Sequence, residues 1–351
     1  VLGGMRCPLG AHYLPTPGPG VIEVIELLEE LGVRKTEQGR PAYDERMLCH
    51  SPQERLFIDG AWREGLLPPI EAVPAEERAP TLAAYRAFAA AVAEVGTAGV
   101  FEIPTARSRW TPALAALDAI TFAAWLDARG LVAPALRWYL DYCCRDDYGA
   151  GAAQVSAWAG LHYFASRHGF EAPGEGEGAT GDPGDGVLTW PEGNAWLAER
   201  LAAPLGERLL PARVVLRIRE GRDGVEVDAW NAASGTAERW ISPRAVVATP
   251  LFVAARLLES PPPALAAAVA AMRHAPWLVT NLQLDAALDD RPGAPPSWDN
   301  VPYGSAALGY VDAMHQSTRP VPGPTVLTAY WALGGNSAAE LSGQRSRLLS
   351  E

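Results

Sequence analysis

The chain has 351 residues, 48% of them hydrophobic, and a formal net charge of −12 from 29 basic and 41 acidic side chains. That length supplies enough core for two domains or one large one. The acidity, with no basic stripe interleaved by aromatics, argues against a nucleic-acid partner. The longest apolar runs, such as AVVATPLFVAARLL, fall short of a membrane span and carry polar residues, so no span is expected. No leader peptide is visible and a cytoplasmic location is favoured, although Val1 opens in mid-motif and the chain reads as a fragment.

The first informative stretch is CPLGAHYLPTPGPGVIEVIELLEELGVRK, residues 7–35. A glycine turn runs through a Pro/Gly segment into a helix over 20–33, where Val21, Val24, Ile25, Leu28 and Leu31 recur at helical spacing. Residues 55–65 read as a hairpin turning at Asp59-Gly60. A helix follows over 81–95. Thr111 caps another, with Pro112 in its first turn, that runs to about Gly130. Two more are expected near 133–143 and 151–166. The Pro/Gly/acidic stretch 171–186 is a linker. After it come a helix at 192–203 and strands at 213–219, 224–230 and 237–249. Helices near 251–259 and 262–272 and strands at 277–285 and 325–333 complete the chain. The expected fold class is α/β, of the mixed α+β kind, and no internal repeat is present.

Several tempting motifs carry little. Gly176 to Gly181 spells G-x-G-x-x-G, but no strand delivers it, no helix receives it, and Glu175 and Glu177 would repel a diphosphate. Cys7, Cys49, Cys143 and Cys144 lack metal or disulfide spacing and read as reduced, partly buried thiols. His162 and His168 are six apart, which does not place both on one helix face, so no metal site is expected. In CCRDDYGAG, Arg145, Asp146 and Asp147 read as a solvated helix-end turn in preference to polar groups on a substrate path.

Two segments in order carry a resemblance. Residues 191–258 read as helix, strand, hairpin, strand and helix, with Leu205-Gly206, Leu209, Val214-Val215 and Ile218 at characteristic spacing before a strand ending AVVATP. Leu9-Gly10-Ala11-His12-Tyr13 fills a turn ahead of a helix that ends in Glu30-Leu31-Gly32. Together they resemble the flavin-containing amine oxidase superfamily, whose members include monoamine oxidase-like and phytoene desaturase-like enzymes.

The resemblance implies a partial two-domain, FAD-linked reductase-like architecture. Residues 1–15 would form a flavin-adjacent turn and 16–186 a mostly helical first part of the substrate domain. Residues 187–256 would belong to the FAD-binding domain, and 257–351 would be a sheet-rich second part of the substrate domain. It implies FAD as cofactor, contacted by Gly10, Ala11, His12 and Tyr13 and by Val214, Val215, Thr249 and Pro250. The backbone near Val215 would meet adenine, and Gly10 and Ala11 would let backbone approach a flat ring. Trp298, Tyr303, Tyr310 and Trp331, with Trp277 nearby, would line a pocket for a small-molecule substrate. The implied activity is an FAD-dependent oxidoreductase taking a hydride from an organic substrate.

Three departures stand against the family pattern. The β-α-β unit with its working G-x-G-x-x-G is not in this sequence, nor is the C-terminal flavin-closing segment. No lysine follows Lys35, where many amine oxidases place one on the strand near Thr280-Asn281. The last point weakens simple amine oxidation and suits relatives that dehydrogenate other substrates. The alternative is a catalytically inactive homologue acting as a binding or scaffold module.

Overall fold

A computed structural model describes residues 2, 4–49, 53–96, 99–167, 169–173, 186–289, 291–315, 321, 323–335, 339–343 and 346. The chain divides into two compact units, Val1–Ala198 with Ala275–Glu351, and Glu199–His274. In chain order the elements of the first unit begin with β1 (Tyr13–Pro15), α1 (Ile22–Glu30), β2 (Arg34–Glu37), β3 (Arg40–Tyr43), β4 (Glu54–Ile58) and β5 (Ala61–Glu64). The helices α2 (Arg78–Val95), α3 (Pro112–Asp118), α4 (Phe122–Ala128), α5 (Pro134–Tyr148) and α6 (Ala157–Ala165) follow, then β6 (Val187–Thr189) and α7 (Ala195–Ala202). The second unit holds β7 (Arg213–Gly221), β8 (Gly224–Asn231), β9 (Thr236–Ser242), α8 (Leu251–Leu257) and α9 (Pro263–Ala271). The first unit resumes with β10 (Trp277–Leu284), β11 (Asp299–Pro302), β12 (Gly309–Asp312) and β13 (Thr325–Ala332). No helix among the described residues is long and apolar enough to cross a membrane.

The expected hairpin forms. Asp59 and Gly60 take φ of 50° and 73° between β4 and β5, the doubly left-handed turn whose twist suits adjoining strands. Gln38 and Gly39 do the same between β2 and β3, a hairpin not anticipated from sequence.

The helices α2 to α6 share one core, in which Tyr85, Phe88, Phe122, Leu126, Leu136, Leu140 and Leu161 are fully buried. The single helix expected from Thr111 to Gly130 is two. Thr111 Oγ1 accepts from the Leu114 amide, and Thr121 Oγ1 accepts again from Ala124, so a second cap restarts the helix at Phe122. A threonine that bonds forward amides competes with continuation of the helix it interrupts. The helix expected to end at 143 instead runs to Tyr148 and is closed by Gly149 at φ 70°. Its successor starts only at Ala157, because residues 151–155 wrap back on α5, where Asp141 Oδ1 accepts from Ala152 N.

Six strands form the main sheet in the order β10-β13-β12-β11-β4-β5. Only the β4–β11 pair is parallel; it sets Asp299 beside Glu54 and Val301 beside Leu56. A two-stranded ladder joins β1 to β6, pairing Tyr13 with Thr189.

The second unit is an antiparallel meander, β7-β8-β9, with two helices. Arg217 and Arg239 both pair with Asp228 across its face. The strand expected over 237–249 stops at Ser242, and 243–249 are irregular. A strand needs ladder partners for its amides and carbonyls. No described strand pairs with 243–249, and Val246 is 94% exposed.

Gly160 on α6 faces the fully buried Phe122 ring, where an added Cβ would collide. Alanine in a helix interior recovers about 1 kcal/mol over glycine. Overpacking a core costs about 1–3 kcal/mol. Gly160→Ala is therefore expected to lower the unfolding free energy by up to about 2 kcal/mol, checked by denaturant titration; a stabilised variant would show the ring can move aside.

Candidate functional site

The first unit encloses a cavity of about 550 Å³. Three structures build its wall. The turn Gly10–Tyr13 supplies one side. Helix α5 supplies another through Tyr139, Tyr142, Cys143 and Asp146, a set spaced by three and four residues so that one helix stripe faces inward. The sheet supplies the third through Glu54 on β4, Asp299 on β11, Val311 on β12 and Tyr330 on β13, with Trp298 beside them.

The turn is fixed by contacts from distant parts of the chain. Tyr330 Oη donates to Gly10 O at 2.9 Å and lies 2.7 Å from His12 Nδ1. Thr189 Oγ1 donates to His12 O at 2.9 Å, and Asn194 Nδ2 donates to Tyr13 O at 3.2 Å. Gly193, at φ 61°, lies where a side chain would meet Pro8 Cβ at 2.7 Å and His12 Cα at 3.1 Å, so this position requires glycine. The His12 ring packs among Tyr13, Trp298 and Tyr330 at 5.0–5.3 Å between centroids. The residue is only 7% exposed, and its Nε2 has no hydrogen-bond partner among the described residues. Burial lowers its pKa, so the imidazole is neutral near pH 7. A Cβ added at Gly10 would meet nothing within 4 Å.

The cavity is acidic. Among the described residues, Glu54, Asp146, Asp147 and Asp299 line it against one guanidinium, Arg167. That guanidinium is engaged, 3.1 Å from Asp147 Oδ1 and 4.5 Å above the Tyr163 ring. Glu54 and Asp146 keep accessible surface, yet both are strongly desolvated. Both line the cavity, whose surrounding protein desolvates them. Desolvation, then the charge of Asp146, pushes Glu54 up to about 7. Desolvation, then Asp147, pushes Asp146 up to about 6. Asp299 is raised well above the carboxylate range by desolvation, Asp146 and Glu54, although its Oδ1 accepts from Asn300 N at 2.8 Å. Desolvation also raises Tyr13, Tyr139, Tyr142 and Tyr330, so these phenols stay protonated.

Of the residues singled out in sequence, Gly10, Ala11, His12, Tyr13, Trp277 and Trp298 line this cavity. Tyr303, Tyr310 and Trp331 do not. Tyr303 packs on Trp138 at 4.6 Å. Tyr310 and Trp331 neighbour the cavity-facing Val311 and Tyr330, and strand alternation turns them to the opposite face. Val214, Val215, Thr249 and Pro250 lie in the second unit. There Val214 pairs with Trp230 and is 54% exposed, Val215 pairs with Ala229, and Thr249 and Pro250 precede α8 without forming a strand end. The solvated-turn expectation for Asp146 and Asp147 is corrected: both belong to α5 and face the cavity, while Arg145 bonds Asp141 and Ala306 O.

Glu54, Asp299, Tyr139, Tyr142 and Tyr330 were missed; only the α5 set left a trace, in the spacing of YLDYCCRDD along one helix stripe. The four cysteines are free and buried. His162 Nε2 is satisfied by Glu102 O at 2.9 Å. His168 and the 176–181 glycine motif lie outside the described residues.

A carboxyl whose pKa is raised by folding stabilises the fold at low pH and loses that contribution as pH rises through its folded value. Across pH 4.5 to about 7 the native protein is thus expected to lose stability through Glu54. Glu54→Gln removes that loss, so variant Tm minus native Tm should grow as pH rises through this window. His12 contributes an opposite slope, but equally in both proteins. Thermal unfolding at several pH values measures the difference, and a pH-independent one would contradict the assignment.

The comparisons with known proteins follow the geometry. The family model for flavin containing amine oxidoreductases matches residues 3–347. An L-amino acid dehydrogenase of Synechocystis sp. is 30% identical over 152 residues, 43% of this chain and 29% of the relative. The matched region thus spans under a third of that relative's length. Among solved structures, putrescine oxidase with putrescine bound is similar at TM-score 0.57 and 16% identity, over 95% of this chain and 67% of that one. An oxidoreductase from Methanosarcina mazei is similar at TM-score 0.59 and 11% identity, over 99% of this chain and 74% of that one. These structural likenesses establish a mixed α/β fold. With the family match spanning nearly the whole sequence, the chain belongs to the flavin-containing amine oxidoreductase family.

Proposed function

We propose that this chain builds the substrate chamber, and part of the flavin site, of an FAD-dependent oxidoreductase whose substrate is a cationic amine. The observation that carries the substrate is the acidic, aromatic-walled cavity. Four carboxyl groups against one engaged arginine favour a positive ligand, and Trp298, Tyr13 and Tyr142 offer ring faces and apolar surface to its body. An α-amino acid would add a carboxylate to this cavity, where Arg167 is already held by Asp147.

The residues present fit one side of a flavin ring. Gly10 leaves open space where a side chain would stand, Ala11 is small, and His12 presents a buried Nε2 that protein does not satisfy. Gly10, Ala11, His12 and Tyr13 would hold that ring. Bound flavin supplies the acceptor for a hydride from a substrate C–H bond. The rest is the work of this chain: carboxylates hold the ammonium, aromatic walls exclude water, and Tyr330 keeps the Gly10–His12 backbone in place. The missing lysine does not count against an amine here, because the cavity carries acidic groups of its own.

The protein should take up FAD, turn yellow, and bleach anaerobically with benzylamine but not with phenylalanine, followed by visible absorption. Asp146→Asn should raise KM for benzylamine by about tenfold or more, since a charged hydrogen bond contributes roughly 1.5–3 kcal/mol. A flavin-loaded protein that no amine bleaches would overturn this function; bleaching by phenylalanine alone would replace the amine with an amino acid.

A further inference from the structure

We propose that Glu54 and Asp299 form a proton-sharing carboxyl pair that receives the substrate's ammonium group and takes one proton from it. The inference rests on the reading that the cavity holds an amine.

The geometry comes from the parallel ladder. Glu54 and Asp299 are register partners on β4 and β11, and both line the cavity. Neighbouring strands lie about 4.8 Å apart, and side chains directly opposite share a face. Two like charges so placed are unfavourable together, and the ordinary resolution is one proton between them. No described ion pair reaches either carboxyl. The nearest cation in sequence, Arg55, is spent elsewhere: its Nε donates to Asn300 Oδ1 at 2.6 Å, its Nη1 to Ala294 O at 3.0 Å, and it stacks on Trp62 at 4.2 Å.

Among the described residues, no element facing the cavity brings the pair a free counter-charge. Helix α5 brings Asp146, Asp147, Tyr139, Tyr142 and Cys143; α6 and the turn after it bring Tyr163 and Arg167, the latter held by Asp147. The Gly10–Tyr13 turn brings neutral His12 and Tyr13, and β13 brings Tyr330. Burial, then Asp299 and Glu54, pushes the Cys49 thiol up to about 12. His12 lines the same cavity, and its buried Nε2 has no partner among the described residues. The cation that completes this arrangement is the ligand's own.

The step moves a proton and no electrons. One N–H bond of the ammonium breaks, its electron pair stays on nitrogen as a lone pair, and an O–H bond forms on the carboxylate. The pair passes from one shared proton to two, and the ammonium becomes a neutral amine, so the cavity's net charge is unchanged. The need is chemical: only the neutral amine has a lone pair to support loss of hydride from the adjacent carbon.

Infrared difference spectroscopy reads the carbonyl stretch that only a protonated carboxyl shows. Benzylamine added to the native protein at about pH 8, above the Glu54 value, should produce a gain of one protonated carboxyl per chain. Benzyltrimethylammonium, which has no proton to give, should bind without that gain. Glu54→Gln and Asp299→Asn should each abolish the gain and change the pH profile of benzylamine binding. A gain that survives both substitutions overturns the proposal, as does benzylamine that binds calorimetrically with no gain or fails to bind at all. The native comparison of the two ligands stands even where a variant fails to fold. The functional reading is judged separately, by bleaching of the flavin band: a carboxyl gain with no bleaching supports the proton-taking pair while removing the oxidation.

Discussion

The parallel pairing of β4 with β11 is the constraint on which the site depends. Among the described strand pairs of the six-stranded sheet it is the parallel one, the others being antiparallel. It joins a hairpin strand near residue 54 to a strand near residue 299, and so carries Glu54 and Asp299 to one wall. The core beneath α2 to α6 then fixes α5, whose inward stripe closes the acidic cavity from the opposite side. Without that ladder the carboxyls would be ordinary surface groups on unrelated strands.

A second long-range tie completes the chamber. Tyr330, at the end of the sheet, reaches across more than three hundred residues of sequence to Gly10 O and His12 Nδ1. Thr189 and Asn194 hold the same turn from β6 and the approach to α7. The turn's backbone is therefore prescribed by its neighbours rather than by its own sequence. That is what a surface offered to a flat ligand requires, since ordering it beforehand avoids an entropic cost on binding.

Local physics made part of this legible. The Asp59-Gly60 turn, the Thr111 cap and the periodic face of α1 are nearest-neighbour signals, and they appear where expected. The Gly10–Tyr13 turn was found by resemblance, and the structure shows it lining the cavity. What stayed hidden is non-local. Nothing in ERLFI announces a parallel partner two hundred and forty-five residues away, so Glu54 looked like any strand-end acid. Asp146 and Asp147 were misjudged because helix α5 continues past the expected stop to the left-handed Gly149. The expected strand through AVVATP fails for the converse reason: strand-like composition cannot supply a ladder partner.

A fold does not place three strongly desolvated acids around a hollow to stabilise itself. Each is held away from its ordinary pKa, chiefly by desolvation; Asp146 also raises Glu54, and both raise Asp299. Replacing such groups with apolar residues of similar volume is the usual route to a firmer core. Elsewhere acids of this protein meet guanidinium partners: Arg217 and Arg239 with Asp228, Arg219 with Glu226, Arg213 with Glu238. In the cavity the acids gather without such partners for Glu54 and Asp299 among the described residues, beside a His12 whose Nε2 also lacks one. Desolvated acids gathered around one hollow mark chemistry rather than architecture. A ligand bringing its own positive charge relieves the repulsion among the acids, and the free energy the fold gives up in its absence becomes affinity in its presence.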